Sequence, residues 1–152
     1  MRRSLVSLLW VWAIFAASPP SPAEELLMVR CSLPFAEAML ALQDAIGEHG
    51  NQLTRVQRVD IGLTASGFET DRYRVVFFGD PQEVAELAAR YPELIPYLPI
   101  KVAIFGEDEE TLVVTLNPRG FRDFYPEPEL GPVFARWEKD LHSIFDRLRS
   151  AD

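Results

Sequence analysis

Hydrophobic residues along the chain fall into short runs that predict strands and helices in succession. Residues 26–32 form the first apolar run after the N-terminal segment and predict a strand. From Pro34 onward, apolar positions recur every three or four residues, which is the spacing of one helical face. These positions are Phe35, Met39, Leu42 and Ile46. Gly50 stands where this helix is expected to end.

The middle of the chain predicts two further strands and a second helix. Residues 53–61 are strand-like with polar interruptions, and residues 73–78 are the strongest strand, ending at Gly79. The helical spacing then returns at Val84, Leu87, Ala88 and Tyr91. Pro92 ends this helix, because a proline disfavours helical geometry in the residue before it.

The last third of the chain predicts a hairpin and a long helix. Residues 100–105 and 112–116 flank the acidic stretch GEDEE, which indicates two strands joined by a tight turn. An amphipathic helix follows over residues 133–148. The order β-α-β-β-α-β-β-α predicts an α+β two-layer sandwich, with a mostly antiparallel sheet of about five strands and helices on one face.

The predicted strand at residues 73–78 is apolar on both of its faces. Val76 and Phe78 alternate with Val75 and Phe77, whereas an antiparallel strand with one wet face should alternate apolar with polar residues. The second face of the sheet is therefore expected to be covered. Either the C-terminal helix folds across it, or a second copy of the protein covers it and forms a homodimer.

The first residues indicate a secretory signal peptide over residues 1–23. Arg2 and Arg3 precede an apolar run over residues 5–17, and the small residues Ser21 and Ala23 stand before the predicted cleavage point. The run is shorter than the roughly 20 residues of a spanning helix, so no stable membrane insertion is expected. The interpretation is export by the general secretory route to the periplasm, leaving a single domain over residues 24–152.

The charge of the predicted mature chain narrows the class of partner. Removing Arg2 and Arg3 leaves 13 basic and 23 acidic residues, a net charge of −10. Such a surface repels phosphate backbones, so nucleic acid is not expected as a partner. Cys31, the one cysteine, lies in an apolar run and is expected to pack as a small hydrophobic residue.

Two stretches, FGDPQEVAELAARYPEL and YLPIKVAIFGEDEETLVVTLNP, resemble the domain of unknown function 302 family. The resemblance extends from about residue 26 to residue 148 and implies a compact α+β domain that dimerises. It places the recurrent features of the family on Gly79, Pro81, Leu98 and Pro99, and on the segment from Asp60 to Gly62. Some members carry cysteines near the glycine corner and after the Leu-Pro step; this chain has none there, and no metal site or cofactor is predicted.

The corner Gly79-Asp80-Pro81 has two interpretations. A helix that begins after a glycine can bind an anion through its free N–H groups and its dipole. Alternatively, Asp80 caps the helix, Pro81 takes its first position and Glu83 stands three residues after the cap. The second interpretation is favoured, because a bound anion would have to displace Asp80 and lie close to Glu83.

Two groups of arginines are further candidates. Arg55, Arg58, Arg72 and Arg74 lie on strands predicted to be neighbours, and they form either an acid-binding cluster or a charged sheet edge that discourages strand addition. The loop after the hairpin combines arginines with aromatic residues, as partner-binding surfaces do. Its candidate binding residues are Arg119, Phe121, Arg122 and Tyr125. The alternative is a long loop held on the core by its aromatic rings.

The sequence contains no G-x-S-x-G elbow, H-E-x-x-H pair or glycine-rich phosphate loop. It therefore favours a small accessory protein that binds a small molecule or a periplasmic protein and forms a homodimer. One alternative is an enzyme that uses Asp60, Asp80 or an arginine near the glycine corner. A second alternative is a metal or haem carrier.

Overall fold

The computed structural model describes residues 25–151. Five strands and four α-helices follow one another along these residues. In chain order they are β1 Leu26–Cys31, α1 Phe35–Glu48, β2 Gln52–Arg58, α2 Val59–Ala65, β3 Tyr73–Gly79, α3 Pro81–Arg90, β4 Ile100–Glu107, β5 Glu110–Leu116 and α4 Leu130–Arg149. Short 3-10 helices lie at Pro92–Tyr97 and Pro118–Asp123.

The strands form one antiparallel sheet in the order β1-β5-β4-β3-β2, which confirms the predicted α+β sandwich. β4 and β5 form the predicted hairpin, with Asp108 at φ 52° in its turn. β4 is the central strand, and β1 and β2 are the two edges.

One face of the sheet is covered by α1 and α4. Apolar side chains from all five strands and from these two helices form the main core. Val76 and Phe78 of β3 are at most 1% exposed on this side. α4 contributes Leu141, Ile144, Phe145 and Leu148 to the same cluster. Both long helices therefore lie in the same layer.

A second, smaller core lies where α3 meets the first half of α4. Its buried members are Leu87, Leu94, Leu130, Phe134 and Trp137. Ile100, at the start of β4, packs against both clusters and joins them. The acidic residue Glu83 of α3 ties the two helices further, because it pairs with Arg136 and accepts the indole N–H of Trp137 at 3.1 Å.

The position of α4 decides one of the alternatives left by the sequence. α4 packs beside α1, so the expectation that the C-terminal helix covers the second face is wrong. The physical reason is that the apolar side chains of α4 already pack against α1 and β1 on the first face. Within residues 25–151, the α-helices that share the main core with the sheet, α1 and α4, therefore lie on one face.

The predicted strand over residues 53–61 is wrong in its last part. β2 ends at Arg58, and Val59–Ala65 forms the short helix α2, which the sequence pattern did not indicate. Val59 and Ile61 are β-branched and continue the strand pattern, and the helix has no side-chain cap to mark its start. Asp60 and Gly62 therefore lie on a helix.

The predicted signal peptide, residues 1–23, lies outside the described residues. Among residues 25–151, no helix combines the length and the apolar character needed to cross a membrane.

Candidate functional site

The glycine corner joins β3 to α3, and its parts are held by local packing. The carboxylate of Asp80 accepts the backbone N–H of Glu83 at 2.8 Å, which is the predicted N-cap bond. A Cβ atom added to Gly79 would lie 3.2 Å from Cγ2 of Val84 and 3.5 Å from Cβ of Pro99. Glycine is therefore needed at position 79 for close packing. The carboxylate of Asp80 occupies the position at the start of α3 where an anion would bind.

A shallow groove of about 480 Å³ opens beside this corner; we call it the corner groove. It is lined by Thr54, Arg55, Phe77, Gly79, Pro81, Val84, Leu98 and Pro99. Arg55 is its one charged lining residue, and no ion pair joins Arg55 to any acidic side chain in the described part of the chain. The groove thus combines an apolar floor with one available guanidinium group.

The peptide bond between Leu98 and Pro99 is cis. Leu98 and Pro99 both line the wall of the corner groove, next to Gly79. Four residues singled out by the family resemblance, Gly79, Pro81, Leu98 and Pro99, thus lie together. Asp60 and Gly62 lie elsewhere, on α2.

The second face of the sheet, which we call the open face, is apolar over most of its surface. The strand registers place its side chains in rows that run across the sheet. The first row is Leu26, Leu116, Lys101, Phe77 and Arg55; the second is Met28, Val114, Ala103, Val75 and Gln57; the third is Arg30, Leu112, Phe105 and Tyr73; the fourth is Glu110 and Glu107.

Nothing in the described part of the chain buries the open face. Met28 is 58% exposed and Leu116 is 47% exposed, and no side chain of these rows belongs to either buried cluster. A contiguous apolar surface of this kind is typical of an interaction site. Phe77 and Arg55 belong to both the open face and the corner groove, so the two surfaces are continuous.

The strand arginines do not form one cluster. Arg55 lies on the open face, whereas Arg74 points to the helical side and forms an ion pair with Asp60. This pair is mostly buried, with the two side chains 13% and 15% exposed. The hydrogen bond from Arg74 is the main reason that the pKa of Asp60 lies below its ordinary value. A carboxylate held in this way is a poor general base.

Arg72 lies just before β3 at the opposite end of the sheet from the corner groove. Its guanidinium group lies 5.5 Å from the ring centre of Phe35, and that of Arg74 lies at 5.6 Å. β2 is an edge strand of the sheet, which is consistent with the second interpretation of the strand arginines, a charged sheet edge.

The aromatic loop after β5 is held on the second core. Phe121 packs 4.8 Å from the ring of Tyr97 and 5.6 Å from that of Phe134. Tyr125 donates its hydroxyl to the carbonyl of Glu93 at 3.0 Å. Burial, followed by the nearby Tyr97 hydroxyl, raises the pKa of Tyr125 above its ordinary value.

The two loop arginines differ in their surroundings. Arg122 donates to the carbonyl of Gly131 at 2.8 Å, and Arg119 is exposed. The rings of Phe121 and Tyr125 are thus held against the second core, and the exposed Arg122 donates a hydrogen bond to α4. These contacts favour the interpretation of a loop pinned to the core. Phe124, another aromatic residue of this loop, is 78% exposed.

A contact that sequence reasoning missed joins the end of α1 to α4. The ring of His49 lies 3.1 Å from the hydroxyl of Ser143 through Nε2 and 3.5 Å from Asp140 through Nδ1. These are the residue types of a hydrolytic triad, but Ser143 lies inside α4, where its backbone N–H is used by the helix and cannot bind an oxyanion. The three residues connect the helices. No sequence motif signals such a contact between residues 94 positions apart.

The acidic hairpin tip does not form a metal centre by itself. Arg30 pairs with Glu107 and lies 3.4 Å from Glu110, which neutralises part of the cluster. Across residues 25–151, no group of three or more His, Cys, Asp or Glu side chains has the arrangement of a metal site. Cys31 is buried in the main core, and its thiol lies 3.7 Å from the carbonyl of Thr111.

The described residues form a small α+β sandwich. Residues 27–148 match the model of the family described as "Domain of unknown function DUF302", and the chain belongs to that family. This confirms the resemblance seen in the sequence.

A solved structure, the crystal structure of uncharacterized conserved protein DUF302 from Bacillus stearothermophilus, has the same fold. It matches with a TM-score of 0.74 and 22% identity, covering 84% of this chain and 100% of the other. No curated protein is significantly similar to this chain.

Proposed function

We propose that this protein is a small secreted accessory protein of the periplasm, which works as a homodimer and binds a small apolar anion in the corner groove. The observation that supports the proposal is one continuous apolar surface, formed by the open face and the corner groove. Exposed apolar surfaces of this size are costly in water unless a partner covers them.

A second copy of the chain is the partner that best fits the open face. Five strands about 4.8 Å apart, each contributing about six residues of 3.3 Å, give a flat footprint of roughly 500 Å². A standard interface buries about 800 Å² per partner, and this flat footprint makes up more than half of that area. A sheet packed on its own copy would bury the two open faces in the manner of a β-sandwich.

The chemistry of the corner groove supports a ligand with an apolar body and one negative charge. Phe77, Val84 and Leu98 offer an apolar floor, and Arg55 offers a guanidinium group that forms no ion pair with another of the described residues. Arginine binds carboxylates through two parallel hydrogen bonds. The ligand class is therefore a small carboxylic acid with an alkyl or aromatic body.

The two candidate acidic residues, Asp60 and Asp80, support binding as the function more than they support catalysis. Asp80 is used as a helix cap and Asp60 is paired with Arg74, so both acids named in the enzyme alternative already have structural partners. The lowered pKa of Asp60 also reduces its strength as a base. Export by the predicted signal peptide would place the dimer among the small molecules of the periplasm.

Native mass spectrometry of the purified protein tests the dimer and the ligand together. We expect the mass of two mature chains, and a Val114→Glu variant should give monomers, because it places a charge at the centre of the open face. Leu40→Glu is the matched control: Leu40 is 64% exposed on α1, away from the open face, and this variant should stay dimeric. A monomeric wild-type protein would count against the proposal.

The ligand class is tested by titrating the protein with octanoate and following heat release. We expect saturable binding that weakens about tenfold in Arg55→Gln, because the charged end of the ligand loses its bidentate partner. Arg119→Gln removes an exposed arginine away from the groove and should bind octanoate as the wild type does. Equal binding by wild type and Arg55→Gln would exclude Arg55 as the anchor.

A further inference from the structure

The charges on the open face are separated along the direction of the strands. Lys101 and Arg55 lie in the first row, near the corner groove. Glu107 and Glu110 lie in the last row, at the hairpin tip, with Arg30 between them and the apolar rows. The face therefore has one positive end and one negative end.

The central strand β4 carries both signs on the same line. Its side chains on the open face are, in order, Lys101, Ala103, Phe105 and Glu107. They are spaced two residues apart, so Lys101 and Glu107 lie at equal distances from the midpoint between Ala103 and Phe105. β4 has two strands on each side, so this midpoint is also close to the centre of the face.

We infer that two copies pack open face to open face around a two-fold axis that runs across the strands at the middle of β4. Lys101 of each copy then faces Glu107 of its partner subunit. This inference rests on the proposed homodimer and adds its geometry. Two identical charge pairs form, because a two-fold axis repeats every contact.

The alternative two-fold axis, parallel to the strands, is electrostatically unfavourable. It would bring the two hairpin tips together, with Glu107, Asp108, Glu109 and Glu110 of one copy beside the same residues of the other. Asp71 lies beside this tip as well. Among the described residues, Arg30 forms the ion pairs with the tip, and Arg72 lines the pocket beside it. Lys101 would face Lys101, and both ends would repel.

The inferred axis also matches side-chain size at the centre of the face. It places Phe105 of each copy opposite Ala103, the smallest side chain on the open face, of the partner subunit. Large against small is the arrangement that lets two apolar layers interlock without voids. Leu112 then faces Val114 of the partner subunit, so the apolar rows meet each other.

Lys101 is available for such a contact. Its ammonium group donates to the carbonyl of Pro96 at 3.3 Å and has no carboxylate partner within the described residues. Glu107 shares Arg30 with Glu110, so this group of three side chains keeps a net charge of −1. A facing lysine would neutralise that remaining charge.

The axis is tested by exchanging the charges of Lys101 and Glu107. The dissociation constant of the dimer is then measured by sedimentation equilibrium of the full mature protein. Lys101→Glu should raise the dissociation constant of the dimer about tenfold or more, because it makes both pairs repulsive. The double variant Lys101→Glu with Glu107→Lys should return to within about threefold of the wild type, since the pairs are restored with their signs reversed. Lys139→Glu makes the same charge change at an exposed position of α4, on the covered side of the sheet, and should have no effect.

The outcomes separate the axis from the dimer itself. A dimeric wild type whose affinity is insensitive to Lys101→Glu would overturn the axis and leave the homodimer standing. The axis also fails if the double variant is as weak as the single one. A wild type that is monomeric would overturn both proposals.

Crosslinking gives a second measurement that does not depend on affinities. A mixture of Lys101→Cys and Glu107→Cys copies should be joined by a short bifunctional maleimide. Lys101→Cys alone should not be joined, because six residues of strand separate the two thiols by about 20 Å. Cys31 is 1% exposed and does not compete. Efficient crosslinking of Lys101→Cys alone would support the parallel axis instead.

Discussion

The two faces of this sheet are built from similar residues and have different surroundings. On the covered face, Val76 and Phe78 meet α1 and α4 and are at most 1% exposed. On the open face, their neighbours Val75 and Phe77 belong to neither buried cluster and remain partly exposed. Apolar residues on both sides of a strand therefore predict burial on both sides, although within residues 25–151 α1 and α4 bury only one side.

The largest expected effect comes from exchanging a phenylalanine on each face for alanine. Phe78→Ala should cost about 3–5 kcal/mol in the free energy of unfolding, at every protein concentration, because it leaves a cavity in a closed core. Phe105→Ala should cost less in the monomer, and its effect should grow as the concentration rises and dimers form. Urea unfolding at two protein concentrations distinguishes these cases; concentration-independent losses for both variants would show that the open face is not an interface.

The next effect concerns the glycine corner, where the open face meets α3. Gly79→Ala should cost about 1–3 kcal/mol in the free energy of unfolding, because its new Cβ would lie 3.2 Å from Val84. Gly62→Ala is the matched control: it lies within α2 with no atom within 4 Å of the new Cβ, and it should be neutral or stabilise by up to about 1 kcal/mol. Thermal unfolding measures both, and a harmless Gly79→Ala would refute the close-packing explanation of the corner.

The smallest expected effect is a change with pH in how much the Asp60–Arg74 ion pair contributes to the free energy of unfolding. Since pairing with Arg74 lowers the pKa of Asp60 below its ordinary value of 3.8, the ionised pair stabilises the fold above that pH and loses its effect as the pH falls through the lowered pKa. Asp60→Asn should therefore cost about 1–2 kcal/mol at pH 7 and progressively less in acid. Unfolding curves from pH 7 to pH 2 check this; a difference that stays constant down to pH 2 would contradict it.

Much of the fold could be predicted from local patterns. The period of β3, the helical spacing of α1 and the cap at Asp80 each depend on residues close together in sequence, so the pattern contains the information. α2 could not be predicted, because seven residues with three β-branched side chains and no capping bond resemble the end of a strand. The side on which α4 packs was also undetermined, since an amphipathic helix shows that it is covered but not by which face.

The candidate site was predicted only in part. The family resemblance pointed to Gly79, Pro81, Leu98 and Pro99, and Arg55 was one of four candidate strand arginines. No pattern in the sequence showed that Arg55 lies beside the corner, because it comes from a distant part of the chain. The contact of His49 with Ser143 depends in the same way on how two helices meet. Sequence patterns predict each strand or helix separately, whereas the groove depends on how β2, β3 and α3 are arranged in space.

The oxidation of Met28 by peroxide, followed by mass spectrometry over a range of protein concentrations, tests the central claim most directly. Met28 is 58% exposed in the single chain and lies on the open face, whereas Met39 packs against the main core and serves as an internal reference. If the open face is the dimer interface, Met28 should become protected as the concentration rises while Met39 stays unchanged. Oxidation of Met28 at the same rate at every concentration would contradict the account.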